Sequence, residues 1–311
     1  MNLKDNKGIA LVITLLVLTL LLVIILEFNL GMRVEARAAA NFRDDIKAYY
    51  LARSGVTFAI TLLEEDSKED SKTGQGYDSL DEIWAQNIPP MPVGDGFVSV
   101  EITDEDSKIN VNKFTGFGTA TGEDMRLLME RFLKPFELKD EIFDSIVDWI
   151  DQGDTEHPEG AESGYYEGLD DPYEAKNKPL DSLEELRLIK GMESDIFDRL
   201  KNFLTVTSDG TINVNTASKE VLMSLSDGLP GETADEIIAF RTENPFQTEV
   251  DVRNKITISQ NVYNEIAEFI DVKSNYFSIT SQGEVNQSSK IIIAIVMRQG
   301  NKAKIIYWRV E

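Results

Sequence analysis

The chain has 311 residues, with 55 Asp and Glu against 31 Lys and Arg, and a formal net charge of −24. A polyanion of this kind is repelled by nucleic acid, whose capture needs clustered Lys and Arg. There is no cysteine, which excludes a disulfide scaffold and thiolate zinc sites, and the length suffices for a sizeable core or two.

Ile9 to Leu26 is a run of eighteen residues with no charge and only two hydroxyls, Thr14 and Thr19. At ~1.5 Å per residue it spans roughly 27 Å as a helix, close to the ~30 Å hydrocarbon core of a bilayer. Buried core helices rarely stay apolar on every face for five turns, so a membrane span is expected. Lys4 and Lys7 precede it with Asp5 as the single acid there. The positive-inside rule then puts the N-terminus in the cytoplasm and everything after Leu26 across the membrane. A secretory signal has a shorter apolar region followed by a small-residue cleavage site. Here the small residue, Gly8, comes before the run and directly after Lys7. Cleavage between Gly8 and Ile9 would remove a leader of residues 1–8 and keep the helix on the mature chain.

Residues 27–66 read as a continuation of that helix, so 9–66 forms one element. Val34, Ala38, Phe42, Ile46, Tyr49, Tyr50, Val56, Ile60 and Leu63 recur mostly at three- and four-residue intervals, as on an amphipathic helix. Gly31 and Gly55 weaken it locally. The polar stretch 66–76 reads as a flexible loop, a short helix is expected over 79–87, and Pro89, Pro90 and Pro92 break regular structure. Residues 96–103 alternate apolar and polar, the pattern of a half-buried strand.

The tetrapeptide Ile109-Asn110-Val111-Asn112 recurs as Ile212-Asn213-Val214-Asn215. Helical text follows each copy, at 123–133, 140–151 and 181–204 after the first and through 246–270 after the second. This reads as a duplicated helical unit, about 109–204 and 212–272, with an extra stretch near 152–180 in the first. From Tyr276 the text changes to three strands rich in β-branched and aromatic residues. The expected class is α+β: residues 67–112 and 273–311 form an antiparallel sheet under the long helix, and 113–272 is a helical domain inserted between strands. The segment INVNTAS…LPG…ADEIIAFR resembles the helix–hairpin–helix module of DNA-binding competence proteins. Arg241, however, is the only basic residue between Glu220 and Arg253, and acids surround the hairpin, so no nucleic-acid partner is expected. A membrane-tethered nucleic-acid receptor stands as the alternative from another class.

Residues 148–174 hold ten carboxylates and no Lys or Arg. Asp148, Asp151 and Asp154 lie three apart and would line one side of a helix end. Glycines 153, 160, 164 and 168 then let the chain fold back. Carboxylates this close repel unless a cation sits among them, and Ca²⁺ suits oxygen ligands from flexible loops; a solvated acidic loop is the competing reading. Catalysis has no support, since a Ser-His-Asp arrangement would have to use His157, the only histidine, in the middle of that loop.

Lys7-Gly8-Ile9 at the leader–helix junction resembles the prepilin peptidase site of type IV pilins and type II secretion pseudopilins. Those chains carry a glutamate five residues into the mature sequence, where this one has Ile13. The missing glutamate is a mark of the protein K family of minor pseudopilins. The AYYLARSG segment at 48–55 and the order of long helix, strand, helical domain and three strands resemble that family over nearly the whole chain. The resemblance implies a methylated N-terminus after processing by the prepilin peptidase, an inner-membrane anchor, and a place at the tip of a periplasmic pseudopilus. It implies as partners the minor pseudopilins I and J, then H and the major pseudopilin G, met along a helix face holding Val34, Ala38, Phe42, Ile46 and Tyr49. It also implies Ca²⁺ in the helical domain. Asp148, Trp149, Asp151, Gly160, Ala161, Glu162 and Tyr165 match the family text, and the expected ligands are Asp151, Asp154, Glu162, Asp170 and Asp171, with Asp148 beside them. A type IV pilus minor pilin remains the nearest alternative within the class.

Overall fold

The computed structural model describes residues 7–74, 76–139 and 141–311. Of the expected leader, residues 1–6 lie outside the described residues, and with them Lys4 and Asp5 of the orientation argument. Lys7 and Gly8 already belong to helix α1, Lys7–Thr73, a single helix of 67 residues.

The first half of α1 is exposed on all sides. Every large apolar side chain from Ile9 to Val34 faces outward, and so do Phe42 and Ile46. Docking starts at Asp44, which is buried and accepts from Asn286 Nδ2 at 2.8 Å, and Ala48, Ala52, Val56, Ala59 and Leu63 are buried beyond it. The stripe read from the sequence therefore divides into an exposed part, Val34 to Ile46, and a docked part. Small residues mark the docked face because the helix backbone rides directly on the sheet. A Cβ at Gly55 would collide with Ser281 Oγ, and one at Gly283 with the Ala48 carbonyl oxygen. Gly55, a weak point by helix propensity, is what permits the close approach.

The helix also passes its expected end at residue 66, and the flexible loop expected over 66–76 is mostly helix. Its polar last turns are tied down. Arg298 Nη1 donates to Asp66 at 3.1 Å, Lys302 Nζ to Glu64 at 3.3 Å and Ser71 Oγ to Asn301 at 3.0 Å. Lys68–Glu65 and Lys72–Glu69 add i,i+3 pairs along the surface. The short helix expected over 79–87 is instead a series of turns. Its Trp84 is pulled into the core edge-on to Phe277, centroids 5.0 Å apart, with the indole N–H donating to Glu82 at 2.7 Å.

Strands β1 (Met91–Val93) and β2 (Gly96–Asp104) form a hairpin, with Pro92 on the edge strand. Short segments follow: β3 (Ile109–Asn110), β4 (Gly116–Phe117), β5 (Ala120–Thr121), β6 (Leu204–Thr205), β7 (Ile212–Asn213) and β8 (Ile270–Asp271). Strands β9 (Tyr276–Val285), β10 (Ser288–Gln299) and β11 (Lys302–Val310) complete an antiparallel sheet of order β1-β2-β9-β10-β11. Its inner face, Val98, Val100, Ile102, Phe277, Ile279, Ile292, Ala294 and Val296, packs on α1 as one core. The strands β2 and β9 are neighbours, so everything between them in sequence is an insertion at one sheet connection.

That insertion carries helices α2 (Gly122–Leu133), α3 (Glu141–Ile150), α4 (Ser163–Tyr166) and α5 (Ser194–Leu200), then α6 (Lys219–Ser224), α7 (Gly231–Glu243), α8 (Glu249–Lys255) and α9 (Gln260–Ile266). They share a second, larger core. The repeated tetrapeptide does the same work twice. β3 pairs in parallel with β6, and β7 with β8. In each copy the first Asn side chain accepts from the N–H of the second: Asn110 from Asn112 at 3.0 Å and Asn213 from Asn215 at 2.9 Å. The second Asn then bridges distant backbone, Asn112 to Leu180 and Val206, Asn215 to Phe246. A buried amide satisfied on both sides fixes where the chain must return.

Candidate metal centre

Helix α3 is apolar enough to be buried over most of its length, and it carries Asp144 and Asp148 into the interior. Asp151 follows its last turn, its N–H still donating to Val147 O at 2.9 Å. The three-residue spacing thus puts Asp148 and Asp151 on one side, as the sequence predicts. Asp144, absent from the sequence-based ligand set, is neutralised by Arg126. Trp149, on the same helix, packs edge-on to Tyr166 of α4, and Tyr166 stacks on Tyr173. This aromatic frame positions Glu162 at the N-cap of α4, but the Glu162 side chain makes no capping bond.

The loop folds back over Asp148. The His157 N–H donates to both Asp148 oxygens at 3.3 and 3.2 Å, and its Nδ1 contacts Asp148 Oδ1. Glu159 N–H donates to Asp144 at 3.2 Å, while Lys190 Nζ donates to the carbonyls of Glu159 and Gly160 at 3.2 and 2.8 Å. Gly160 is needed for closeness rather than for flexibility, because a Cβ there would run into Asp148 Oδ2.

The electrostatics identify the unfinished part. Glu162 is 8 % exposed, and neither of its oxygens has a hydrogen-bond partner among the described residues. Burial, then the charges of Asp148, Asp151 and Asp154, push its carboxyl up to about 7. Asp148, fully buried, is also raised by burial, with His157 opposing. An orphaned buried carboxylate beside three others calls for a positive charge. One ligand atom each from Asp148, Asp151 and His157 lie within 4.8 Å of one another. These donors fit a divalent cation, with Asp154 exposed beside them. Asp170 and Asp171 are exposed further along the loop, and no hydrogen bond or ion pair among the described contacts ties them to the others. His157 is the donor that reading the loop as a carboxylate set overlooked.

A second carboxylate cluster lies between α1, the 77–82 turns and the sheet. Asp66, Asp78 and Glu82 each offer an oxygen within 4.8 Å of the others. Here a cation is built in: Arg298 pairs with Asp66 and Asp78, donates to Ser274 O at 2.7 Å and lies over the Phe277 ring. The network continues through Asp104, whose Oδ2 accepts from Ser274, Thr216 and Asn213 at 2.6, 2.5 and 3.3 Å, and through Asp106, which accepts from the Asn275 and Tyr276 N–H groups. It joins the inserted domain to the sheet. Burial raises Asp66 to about 7, Glu82 and Asp106 to about 8 and Asp104 to about 6.

In the helix–hairpin–helix segment Arg241 is buried with its guanidinium donating to Val214 O at 2.6 Å, and Lys219 is paired with Asp235 at 2.6 Å, so neither cation is left unpaired for a phosphate.

A helix long and apolar enough to cross a membrane is docked on a small antiparallel sheet with a helical domain inserted between adjacent strands, and together with the family matches this architecture makes the chain a minor pseudopilin of the type II secretion system. Two profiles described as "Type II secretion system (T2SS), protein K" match residues 107–209 and 212–273, together more than half of the sequence. The chain belongs to the type II secretion system protein K family. It is 26% identical to protein K of Pseudomonas aeruginosa across 97% of this chain and 91% of the relative, and 26% identical to that of Aeromonas hydrophila across 98% and 97%. The fold is similar to a chain in the crystal structure of the GspK-GspI-GspJ complex of the enterotoxigenic Escherichia coli type 2 secretion system. The TM-score is 0.72 with 18% identity, covering 89% of this chain and 99% of the other.

Proposed function

We propose that this chain is the first subunit of the periplasmic pseudopilus, present once at its tip, where it starts assembly with the minor pseudopilins I and J and is followed by H and the major pseudopilin G. The observation that carries this reading is Ile13. It stands on an α1 face with no acid before Glu27, where related filament proteins use a glutamate to meet the N-terminal ammonium of the subunit already in place. Opposite charges ~4 Å apart attract by about 4 kcal/mol at an effective dielectric near 20, and a lone ammonium in lipid is costly. A subunit with Ile13 cannot supply that partner, so it suits only the position that has no predecessor. Its own Ile9 ammonium can still be met from below. The bulk of the inserted domain agrees, because it would obstruct subunits stacked above it.

In this reading the prepilin peptidase cuts between Gly8 and Ile9, the new N-terminus is methylated, and the body lies on the periplasmic side of the inner membrane. Val34, Ala38, Phe42 and Ile46 are exposed and Tyr49 half-buried, so the face remains available to the helices of I and J. The composition of the complex whose fold is similar supports those two partners. The protein acts by assembly, without catalysis, and Ca²⁺ held by Asp148, Asp151, Asp154 and Glu162 stiffens the inserted domain by neutralising the loop. Asp170 and Asp171, exposed further along the same loop, are the remaining candidate ligands.

Cysteine substitutions at Val34 and Phe42 test the placement in cells. Crosslinks should capture I and J alone. Self-crosslinks repeated along the filament would contradict a single copy at the tip.

A further inference from the structure

The donors gathered on the α3 loop are not all oxygen. We propose that His157 is a nitrogen ligand of the cation centre and that the centre therefore takes Mn²⁺ as well as Ca²⁺. This rests on the reading that the loop holds a divalent cation. The geometry already places an imidazole nitrogen with one oxygen each of Asp148 and Asp151 inside a 4.8 Å group. Independently, Glu162 turns two unpartnered oxygens, on a side chain more than nine-tenths buried, toward the same carboxylates.

The position of His157 is fixed by the loop rather than by its own rotamer alone. Its N–H is on Asp148, its carbonyl accepts from Gly160 N–H at 3.0 Å, and Gly160 is in turn held by Lys190. An imidazole delivered there changes the selectivity. A pure carboxylate and carbonyl cage suits Ca²⁺, which prefers six to eight oxygens, whereas imidazole nitrogen strengthens binding of first-row transition ions. Several carboxylates with a single imidazole is a donor set that Mn²⁺ accepts, while softer ions favour more nitrogen or sulfur. The competing role is positional: His157 donates Nδ1–H to Asp148, and only carboxylates touch the ion.

The two roles differ spectroscopically. The full-length chain in detergent, stripped with chelator and given less than one equivalent of Mn²⁺, should show an electron-spin-echo modulation from a directly bound imidazole nitrogen. His157→Gln should remove that modulation. It should weaken Mn²⁺ by about tenfold or more while changing Ca²⁺ affinity by less than about threefold, as expected when only the nitrogen-preferring ion loses a ligand. Mn²⁺ binding without a His157-dependent nitrogen signal would overturn the proposal, as would an equal loss of both ions in the variant. Ca²⁺ binding with no Mn²⁺ binding would overturn it too, leaving the calcium reading intact. If the unmodified chain binds neither ion, the calcium reading fails and the proposal falls with it.

Discussion

Two clusters of carboxylates lie among the described residues, and they solve the same electrostatic problem differently. At the junction of α1, the sheet and the inserted domain, Asp66 and Asp78 surround Arg298, and Asp104 spends its oxygens on hydroxyl and amide donors. In the α3 loop, among the described residues, Asp148 has only His157, and Glu162 has no hydrogen-bond partner. The junction is completed by the chain itself. The loop, in our proposal, is completed by a cation from outside. The comparison teaches that density of acidic residues says little, and that the supply of donors decides whether a cluster is structural or a binding site.

The largest expected effect is at the junction. Arg298→Met should cost about 3–5 kcal/mol, because removing one partner of a buried ion pair leaves uncompensated charge. Urea unfolding of the detergent-solubilised chain would measure it, and a loss under ~1 kcal/mol would show that the junction amides and hydroxyls suffice without the guanidinium.

The next effect belongs to the loop. Millimolar Ca²⁺ in place of chelator should raise the unfolding midpoint, by about 2.7 kcal/mol of stability at a hundredfold excess over Kd. Asp151→Ala combined with Asp154→Ala should abolish the shift, read by thermal unfolding. An unchanged melting temperature in the unmodified chain would return the loop to a solvated acidic surface.

Gly160→Ala separates space from charge. A methyl there meets Asp148 Oδ2, so the loop must lift, at a cost of about 1–3 kcal/mol by overpacking. Calorimetric titration should also show weaker Ca²⁺ binding. Unaltered affinity would mean that the loop's closeness to Asp148 does not matter for the ion.

The smallest and broadest effect is on pH dependence. Folded-state values near 6 to 8 for Asp104, Asp66, Glu82 and Asp106 lie above the unfolded carboxylate range of about 4. The native state therefore binds more protons than the unfolded chain between these limits, and stability must fall as pH rises through them. With chelator present, the unfolding midpoint should decline from pH 6 to pH 8.5, and it should decline less in Asp106→Asn. A flat profile would mean that the network's donors hold these groups ionised.

The sequence carries the loop openly and the junction hardly at all, for a physical reason. The loop's donors fall within fifteen residues, from Asp148 to Glu162, so helical spacing and glycine placement bring them together. The junction gathers Asp66, Asp78, Asp104 and Arg298 across the whole length of the body, and only the strand pairing of β2, β9 and β10 makes them neighbours. The same distinction explains the helix end. Polar text over 66–73 suggests a loop until Arg298, Asn301 and Lys302, supplied by β10, β11 and the turn between them, are seen to hold it. Gly55 was legible only as a weak point, since its value depends on Ser281 more than two hundred residues away. The repeated Ile-Asn-Val-Asn, by contrast, is visible as a repeat, and its purpose lies in the second asparagines, which both bridge returning backbone.

The central claim, that the α3 loop holds a buried charge which an external cation neutralises, is tested most directly by Glu162→Gln. Unfolding of the unmodified chain and the variant should be compared at pH 8, in chelator and in millimolar Ca²⁺. In chelator the variant should be at least as stable as the unmodified chain, because an unpaired buried carboxylate has been removed, and calcium should no longer stabilise it. A variant that is destabilised in chelator yet keeps the full calcium response would contradict the account.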